Sequence, residues 1–600
     1  MGRRTGIADA AGPPWRQPRR WLAFAGVVLL VCLVFARLPT SRPAALADRP
    51  IGHWTAILPP ILAVVIALVF RTLVWALTGA FVLGALLAFW PAVLTAVPRG
   101  VTAFIWVNFT EQFNLYIFAF LFALVGMIHV AYRGGGIHGL VALVGKAARG
   151  PRSTKVATFL AGLAIFFDDY SNTVVVGSAM RGLADRWRVS REKLAYLVDS
   201  TAAPIAGLAL LSTWIAFEVF LFHDAAGALG LKEGGYAIFV TILPFRFYCW
   251  GTLFFVLLTS AAGRDFGPML HAERRAALEG KLVRDGARPL ARAGGEALDP
   301  VPGKPQRWVN AVLPLALVVV GTLGGILLLG RHKVLASGAP FSLLDGADWR
   351  AAFGMVTNPA VTPGGAMKIL FCASAAGGVT AVLLCVSQKI LTFGAAGRAY
   401  LRAIPTLGMA FFILIMAWGM SKICTTGVHT DTYLISLLGD RMPPAALPLF
   451  VFFVSSGMAF ATGTSFGTMA VLIPVIFPLA YALGTYETGN GLLFWLSAAA
   501  IMDGAIFGDH CSPISDTTVL SSISSGCDHI DHVGTQMPYA LTVMAGTSLT
   551  GYAAVAAGMP GWLFFVVFPA LAGIILLVFG RRVPAPAAAP AGEGGPGPSR

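Results

Sequence analysis

Residues Val156–Met180, VATFLAGLAIFFDDYSNTVVVGSAM, decide how this chain folds. The stretch is apolar enough to enter a bilayer, yet two adjacent carboxylates, Asp168 and Asp169, sit at its middle, followed by Tyr170, Ser171, Asn172 and Thr173. Basic loops flank it on both sides. Residues 133–155 hold Arg133, Lys146, Arg149, Arg152 and Lys155, and residues 181–193 hold Arg181, Arg186, Arg188, Arg191 and Lys193. Short loops rich in Lys and Arg stay on the cytoplasmic side. About 25 residues suffice for one crossing and not for two. One crossing would put the two loops on opposite sides. The stretch is therefore predicted to be a re-entrant hairpin that enters and leaves from the cytoplasm, its non-helical tip buried in protein or facing a water-filled cavity.

Composition agrees with a membrane chain. Of 600 residues, 57% are hydrophobic and 12% charged, and mean hydropathy is +0.76. A soluble chain carries about 25% charged residues, so too little polar material remains here to cover a water-facing surface. Apolar blocks near the length of a bilayer core recur at Trp21–Ala36, Trp54–Phe70, Leu115–Tyr132, Tyr236–Thr259, Trp308–Gly330 and Trp562–Gly580. In lipid such runs satisfy their backbone only as helices. The fold class is an all-α polytopic membrane protein of about 11–13 transmembrane helices. The net charge of +15 lies in loops and not on a soluble basic domain, which excludes nucleic acid as a partner. The expected surroundings are membrane lipid in a bacterial inner membrane, with a homodimer allowed. The seven cysteines are scattered, with Cys32, Cys249, Cys372 and Cys385 in apolar segments, and form no disulfide framework.

A third basic loop, residues 263–307 with Arg264, Arg274, Arg275, Lys281 and Arg284, separates an N-terminal half, 21–262, from a C-terminal half, 308–582. Residues 1–20 are polar and cytoplasmic. The following apolar run reads as an uncleaved first helix in preference to a signal peptide with a small-residue site at Ala44–Ala47. Residues 583–600, rich in Pro, Ala and Gly, read as a disordered tail. The halves share a short likeness: Ile165–Asn172 and Ile506–Pro513 are identical at four of eight positions. Paired interruptions in two halves point to the binding site of a transporter.

Carboxylates inside apolar runs are functional candidates by default. The cluster at 168–173 offers Asp168, Asp169, Asn172 and hydroxyls as hard oxygen ligands for a cation; two adjacent acids cannot face the same way on a helix, so one is central. A second cluster, LVDSTAAPIAGLALLSTW, holds Asp199, Ser200, Thr201, Ser212 and Thr213. Its Pro204 removes a backbone bond and frees a carbonyl, predicting a broken helix. A third, MDGAIFGDHCSPISDTTVLSS, holds Asp503, Asp509, His510, Ser512, Ser515, Asp516 and Thr517, with Gly508 and Pro513 as breakers. Blander readings stand beside each: the 168–173 cluster as a polar helix end at the membrane surface, Asp199 capping a helix near the cytoplasmic face, Glu218 as an interfacial residue near the outer surface. The Gly, Ser and Thr of residues 455–474 either allow close helix packing or line an ion path. Lys422, His429 and Asp431 have no assigned role. His510, Cys511, Cys527, His529 and His532 lack structural zinc spacing, and no oxyanion hole can be argued for a Cys/His nucleophile. No enzyme activity, cofactor or resident metal is expected.

FFDDYSNTVVVGSAM, SREKLAYLVDSTAAPIA and GDHCSPISDTTVLSS with CDHIDHVGTQMPYAL resemble signature stretches of the NhaC-type Na+/H+ antiporter family. The resemblance covers roughly residues 55–580 and leaves out the N-terminal 20 residues, the 263–307 loop and the tail. It implies two inverted repeats, each with a re-entrant hairpin and a broken helix, and exchange of Na+ or Li+ for H+. It also implies that some members couple these ions to malate or lactate.

The expected mechanism is competition for one site. Desolvation raises a buried aspartate from about 3.9 towards neutrality, bound Na+ favours the anion, and a proton displaces Na+. The expected ligands are Asp168 or Asp169, Asn172, Asp199, Ser200, Thr201, Asp509, Ser512, Asp516 and Thr517. The rival is a carrier of small carboxylates driven by Na+ or H+, for which Arg246 and Lys422 are the visible positive complements. A sensor without transport would have little use for so many buried acids, and a passive channel none for a protonatable switch.

Overall fold

A computed structural model describes residues 51–584 except 71, 290–299, 439–440 and 487–490, together with residues 25–26 and 33–34. The expectations for the N-terminal 20 residues, most of the first apolar run, the Ala44–Ala47 site and the tail beyond 584 fall outside these residues. The described chain is nearly all helix. Eight helices are long and apolar enough to cross a membrane, or ten when each of two bent pairs counts once. That lies below the 11–13 expected, because half-helices such as Arg191–Asp199 are individually too short to cross. Most of the apolar blocks are recovered. Leu115–Tyr132 falls within the helix Gln112–Arg133, and Tyr236–Thr259 is split into Gly235–Ile242 and Phe247–Ala262, bent by 47° around Leu243–Phe245.

Eight helices form the two hairpins and the helices beside them. In the first half these are α1 (Pro151–Ala164), α2 (Asp169–Arg186), α3 (Arg191–Asp199) and α4 (Thr213–Leu229). Pro151 opens α1, where its missing N–H is harmless. The α1–α2 hairpin turns at residues 165–168, and Asp168 restarts the helix by accepting a bond from the Ser171 N–H at 2.9 Å. The helix stops again after Asp199, and only the short turn Ala203–Ala206 interrupts the passage to α4, which Ser212 caps.

The three basic loops meet at one face. Glu273, from the helix Gly267–Glu279, accepts bonds from Lys155 Nζ at the foot of α1 and from Ser190 N and Oγ at the foot of α3, each at 2.9 Å. Asp265 accepts from Lys193 Nζ at 2.8 Å and Tyr539 OH at 2.7 Å. The foot of α1 and the end of α2 line one surface recess with Arg149, Trp187 and Arg188. The hairpin thus returns to the face it left, as loop charge requires. Residues 263–307, expected as a plain loop, dock an amphipathic helix there.

The second half repeats this construction upside down, with α5 (Leu447–Thr462), α6 (Ser465–Ala482), α7 (Leu492–Cys511) and α8 (Asp516–Ser525). Gly504 faces Phe452 and Ser455, and Gly508 faces Ser456 and Phe460, so α5 and α7 run parallel. Phe477 and Tyr481 of α6 meet Phe494 at the start of α7, so α6 runs back. The α5–α6 hairpin turns at Gly463, in the left-handed region, and Thr464, which caps α6. Its open end lies near Tyr486, whose hydroxyl bonds Glu233 beyond the end of α4, opposite the basic face. The short likeness noted above does not follow this symmetry. Ile165–Asn172 forms a hairpin tip, whereas Ile506–Pro513 ends a spanning helix; both are apolar runs stopped by polar helix ends. The counterpart of the first tip is Gly463–Thr464.

Both ends of the described span 51–584 are tied to distant parts of the chain, one to the second half and one to the segment between the halves. Gly52 N bonds Thr432 Oγ1 at 3.1 Å, and Thr430 Oγ1 bonds the Ala56 carbonyl at 2.6 Å. Arg581–Arg582 pairs antiparallel with Arg264–Asp265 on the basic face.

Candidate ion-binding site at the helix breaks

Both hairpin tips meet the break of the broken helix in their own half. Thr213 N donates to the Phe167 carbonyl at 2.9 Å and Thr213 Oγ1 to Asp168 at 3.0 Å, while Gly463 lies against Ile514. The halves then join across the centre: α8 packs on α2 and α3, and Phe466 lies on Trp214 and Phe217. Four helix ends therefore come together at the centre of the fold.

Asp199, at the end of α3, is 2% exposed. Its carboxylate accepts from Gln536 Nε2 at 2.7 Å, Thr518 Oγ1 at 3.1 Å and Ser521 Oγ at 3.2 Å. All three donors are neutral. Asp199 does not cap a helix at the cytoplasmic face; it lies at the central break. Thr518 Oγ1 also approaches the Asp509 carbonyl at 3.5 Å, linking this acid to the end of α7. Asp509 is 5% exposed and has Thr517 Oγ1 at 3.5 Å. The adjacent His510 crosses the two halves, with Nε2 2.8 Å from Ser200 Oγ and Nδ1 2.9 Å from Tyr248 OH.

The neighbouring acids Asp168 and Asp169 separate. Asp168 is committed to the Ser171 cap and to Thr213, so it caps a helix end that meets the first break. Asp169 is 2% exposed, one of its carboxylate oxygens has no hydrogen-bond partner, and it borders a cavity of about 500 Å³. Asn172 donates to the carbonyls of Gly162 at 2.7 Å and Thr201 at 2.9 Å and leaves its own Oδ1 buried without a partner. Among the other expected ligands, Thr201 Oγ1 turns back to the Leu197 carbonyl at 2.8 Å. Ser512 receives the Ile514 N–H at 3.3 Å in the turn. Asp516 is exposed at the cavity's rim.

Other buried acids are neutralised. Asp503 accepts from Arg246 Nε at 2.9 Å, Tyr248 N at 2.6 Å and Tyr552 OH at 2.7 Å. Glu218, expected at the interface, is fully buried 3.6 Å from Arg246. Lys422 pairs with Asp224 at 3.0 Å. Among the described residues no Lys or Arg pairs with Asp169, Asp199 or Asp509. The glycines of α7 serve packing: a Cβ on Gly508 would lie 2.4 Å from Phe460 N and Ser456 O. His529 and His532 both share Ser522 Oγ.

Inverted hairpins and broken helices around buried, unpaired acids, in a multi-pass membrane protein, define a secondary transporter. The comparisons give the family. The Na+/H+ antiporter family matches residues 205–556, and the chain belongs to it. An uncharacterized protein of Haemophilus influenzae is 29% identical over 511 residues, 84% of this chain and 91% of that one. The malate-2H(+)/Na(+)-lactate antiporter of Bacillus subtilis is 39% identical over 90 residues, 15% of this chain and 18% of its own length. The crystal structure of the Alcanivorax borkumensis YdaH transporter shares the fold, with TM-score 0.51 at 16% identity, covering 91% of this chain and 100% of that one.

Proposed function

We propose that the protein exchanges Na+, and Li+ by the same chemistry, for H+ across the cytoplasmic membrane by competition at Asp169, Asp199 and Asp509. One observation carries this reading: these three acids are buried at helix breaks with no Lys or Arg partner among the described residues, Asp199 having only the His532 imidazole at 3.9 Å, while their buried neighbours Asp265, Glu273 and Asp503 each pair with a Lys or Arg. An uncompensated buried charge is costly, so each carboxylate needs either a proton or a cation. Na+ finds oxygen ligands nearby in Asn172 Oδ1, the Ser and Thr hydroxyls and the freed carbonyls. Because one oxygen cannot hold both ions, loading is exclusive, and a site that changes exposure only when loaded exchanges them. The basic face is the cytoplasmic one by its charge.

The test is purified protein in liposomes with an internal pH dye. Pulses of Na+ or Li+ are expected to move protons and K+ to move few. Asp199→Asn is expected to lose the response while remaining folded, since the amide oxygen still accepts from Thr518 and Gln536 and the new NH2 can donate to Ser521 Oγ, whose own hydroxyl keeps its bond to the Thr517 carbonyl. Normal exchange in that variant removes Asp199 from the site. The match to the malate and lactate exchanger supports a second reading, coupled transport of a small carboxylate. Against it, Arg246 is held by Asp503 and Glu218, and Lys422 by Asp224. Malate and lactate pulses in the same assay are expected to be silent.

A further inference from the structure

The 500 Å³ cavity beside Asp169 is far larger than a metal ion requires, holding roughly fifteen waters at about 30 Å³ each. It falls in the range of small-molecule pockets, about 300–1,000 Å³. It lies between the first hairpin and the helices Gln112–Arg133 and Ala403–Lys422. One side is polar and acidic, with Asp168, Asp169, Asp516, Ser171 and Thr213. The other is apolar, with Leu121, Val125, Ile128, Ile413 and Leu414, and the aromatic rings of Phe217 and Phe466 close one end. No Lys or Arg lines it; its one further titratable side chain of basic type, His129, has Nδ1 2.9 Å from the Val125 carbonyl. Asp169 lines this wall, and one of its carboxylate oxygens is buried without a hydrogen-bond partner among the described residues.

We propose that this cavity binds an organic ammonium ion with an apolar body, which the protein exchanges for H+ or Na+. The proposal rests on the exchanger reading for its coupling and extends that reading to the cargo. An ammonium group supplies three donors and a positive charge, which is what the unpartnered Asp169 carboxylate oxygen lacks. Aromatic faces attract the same group, and the aliphatic wall takes its body. A carboxylate of the same size would bring a further negative charge against three acids with no Lys or Arg lining the cavity. Ammonium, Na+ and H+ would contend for one carboxylate, so the organic cation moves against the inorganic ones and not with them.

The test uses 2-phenylethylammonium and its near-isosteric anion 3-phenylpropionate in the liposome assay, with protein-free liposomes giving the background from diffusion of the neutral base. The amine is expected to raise the half-saturating Na+ concentration about fivefold or more without lowering the maximal rate, as competition at one site requires. Radiolabelled amine is expected to accumulate when an outward Na+ or H+ gradient is imposed, and the anion to do neither. Ala410→Trp, which fills the cavity from the helix opposite the acids, is expected to reduce amine exchange about tenfold more than Na+ exchange. Na+ exchange that is indifferent to the amine, or equally inhibited by the anion, overturns the cavity assignment and leaves the Na+/H+ reading standing. Equal loss of both activities in Ala410→Trp also overturns it. Amine/H+ exchange without any Na+ response supports the cavity assignment and overturns Na+ as the cargo.

Discussion

Replacing Asp169 by asparagine removes a charge that nothing in the fold compensates, whereas the same change at Asp168 keeps a side chain that caps helices nearly as well as aspartate. Asp169→Asn is therefore expected to reduce Na+-dependent proton movement to background. Asp168→Asn is expected to change unfolding in detergent by less than about 1 kcal/mol and to retain more exchange than Asp169→Asn. Equal losses in the dye assay would contradict the division of labour between the two acids. The sequence shows both acids with equal clarity and does not show which is free. That depends on Thr213, 45 positions from Asp168, reaching one of them. Gln536, Thr518 and Ser521 were legible only as part of a polar string. They lie 337, 319 and 322 positions from Asp199, and neutral residues carry no local signal that they will hold a distant carboxylate. His510 suggests a metal to a reader of the sequence, yet in the fold it joins Ser200 to Tyr248.

At the scale of elements, the first hairpin could be read from charge alone because two basic loops left room for one crossing. The second could not. Each arm, Leu447–Thr462 and Ser465–Ala482, is part of a run apolar and long enough to pass as a span, and the turn between them is marked only by Gly463 and Thr464. The broken helix was visible through Pro204, while the break after Cys511 was signalled by Pro513. Close packing of α5 against α7 rests on glycines with no room for a side chain. Gly508→Ala places a methyl on backbone atoms of α5 and is expected to destabilise the protein by about 1–3 kcal/mol. The check is the thermal unfolding midpoint in detergent, and an unchanged midpoint would show that the hairpin yields freely.

For the whole molecule, the gathering of the basic loops fixes which ends share a side. Glu279 and Arg582 belong to the basic face and Lys232 to the opposite one. With cysteines introduced singly at these positions, a membrane-impermeant maleimide added to intact cells is expected to label position 232 and to reach 279 and 582 only after permeabilisation. Labelling of 279 without permeabilisation would invert the orientation. The inverted symmetry was expected from the family resemblance alone, because the short likeness between the halves matches a hairpin tip to a spanning helix. Geometry equates the two tips and the two breaks instead.

The ladder of Arg581–Arg582 on Arg264–Asp265 and the attachment of Gly52 to Thr432 mean that the halves are woven together at both ends and not strung in tandem. A gene cut within codons 290–299 would yield two polypeptides, each lacking the partner of one of its own termini. Such fragments are expected to be degraded when made separately and to assemble an active exchanger when co-expressed, so a working split version would come from complementation and never from either piece alone.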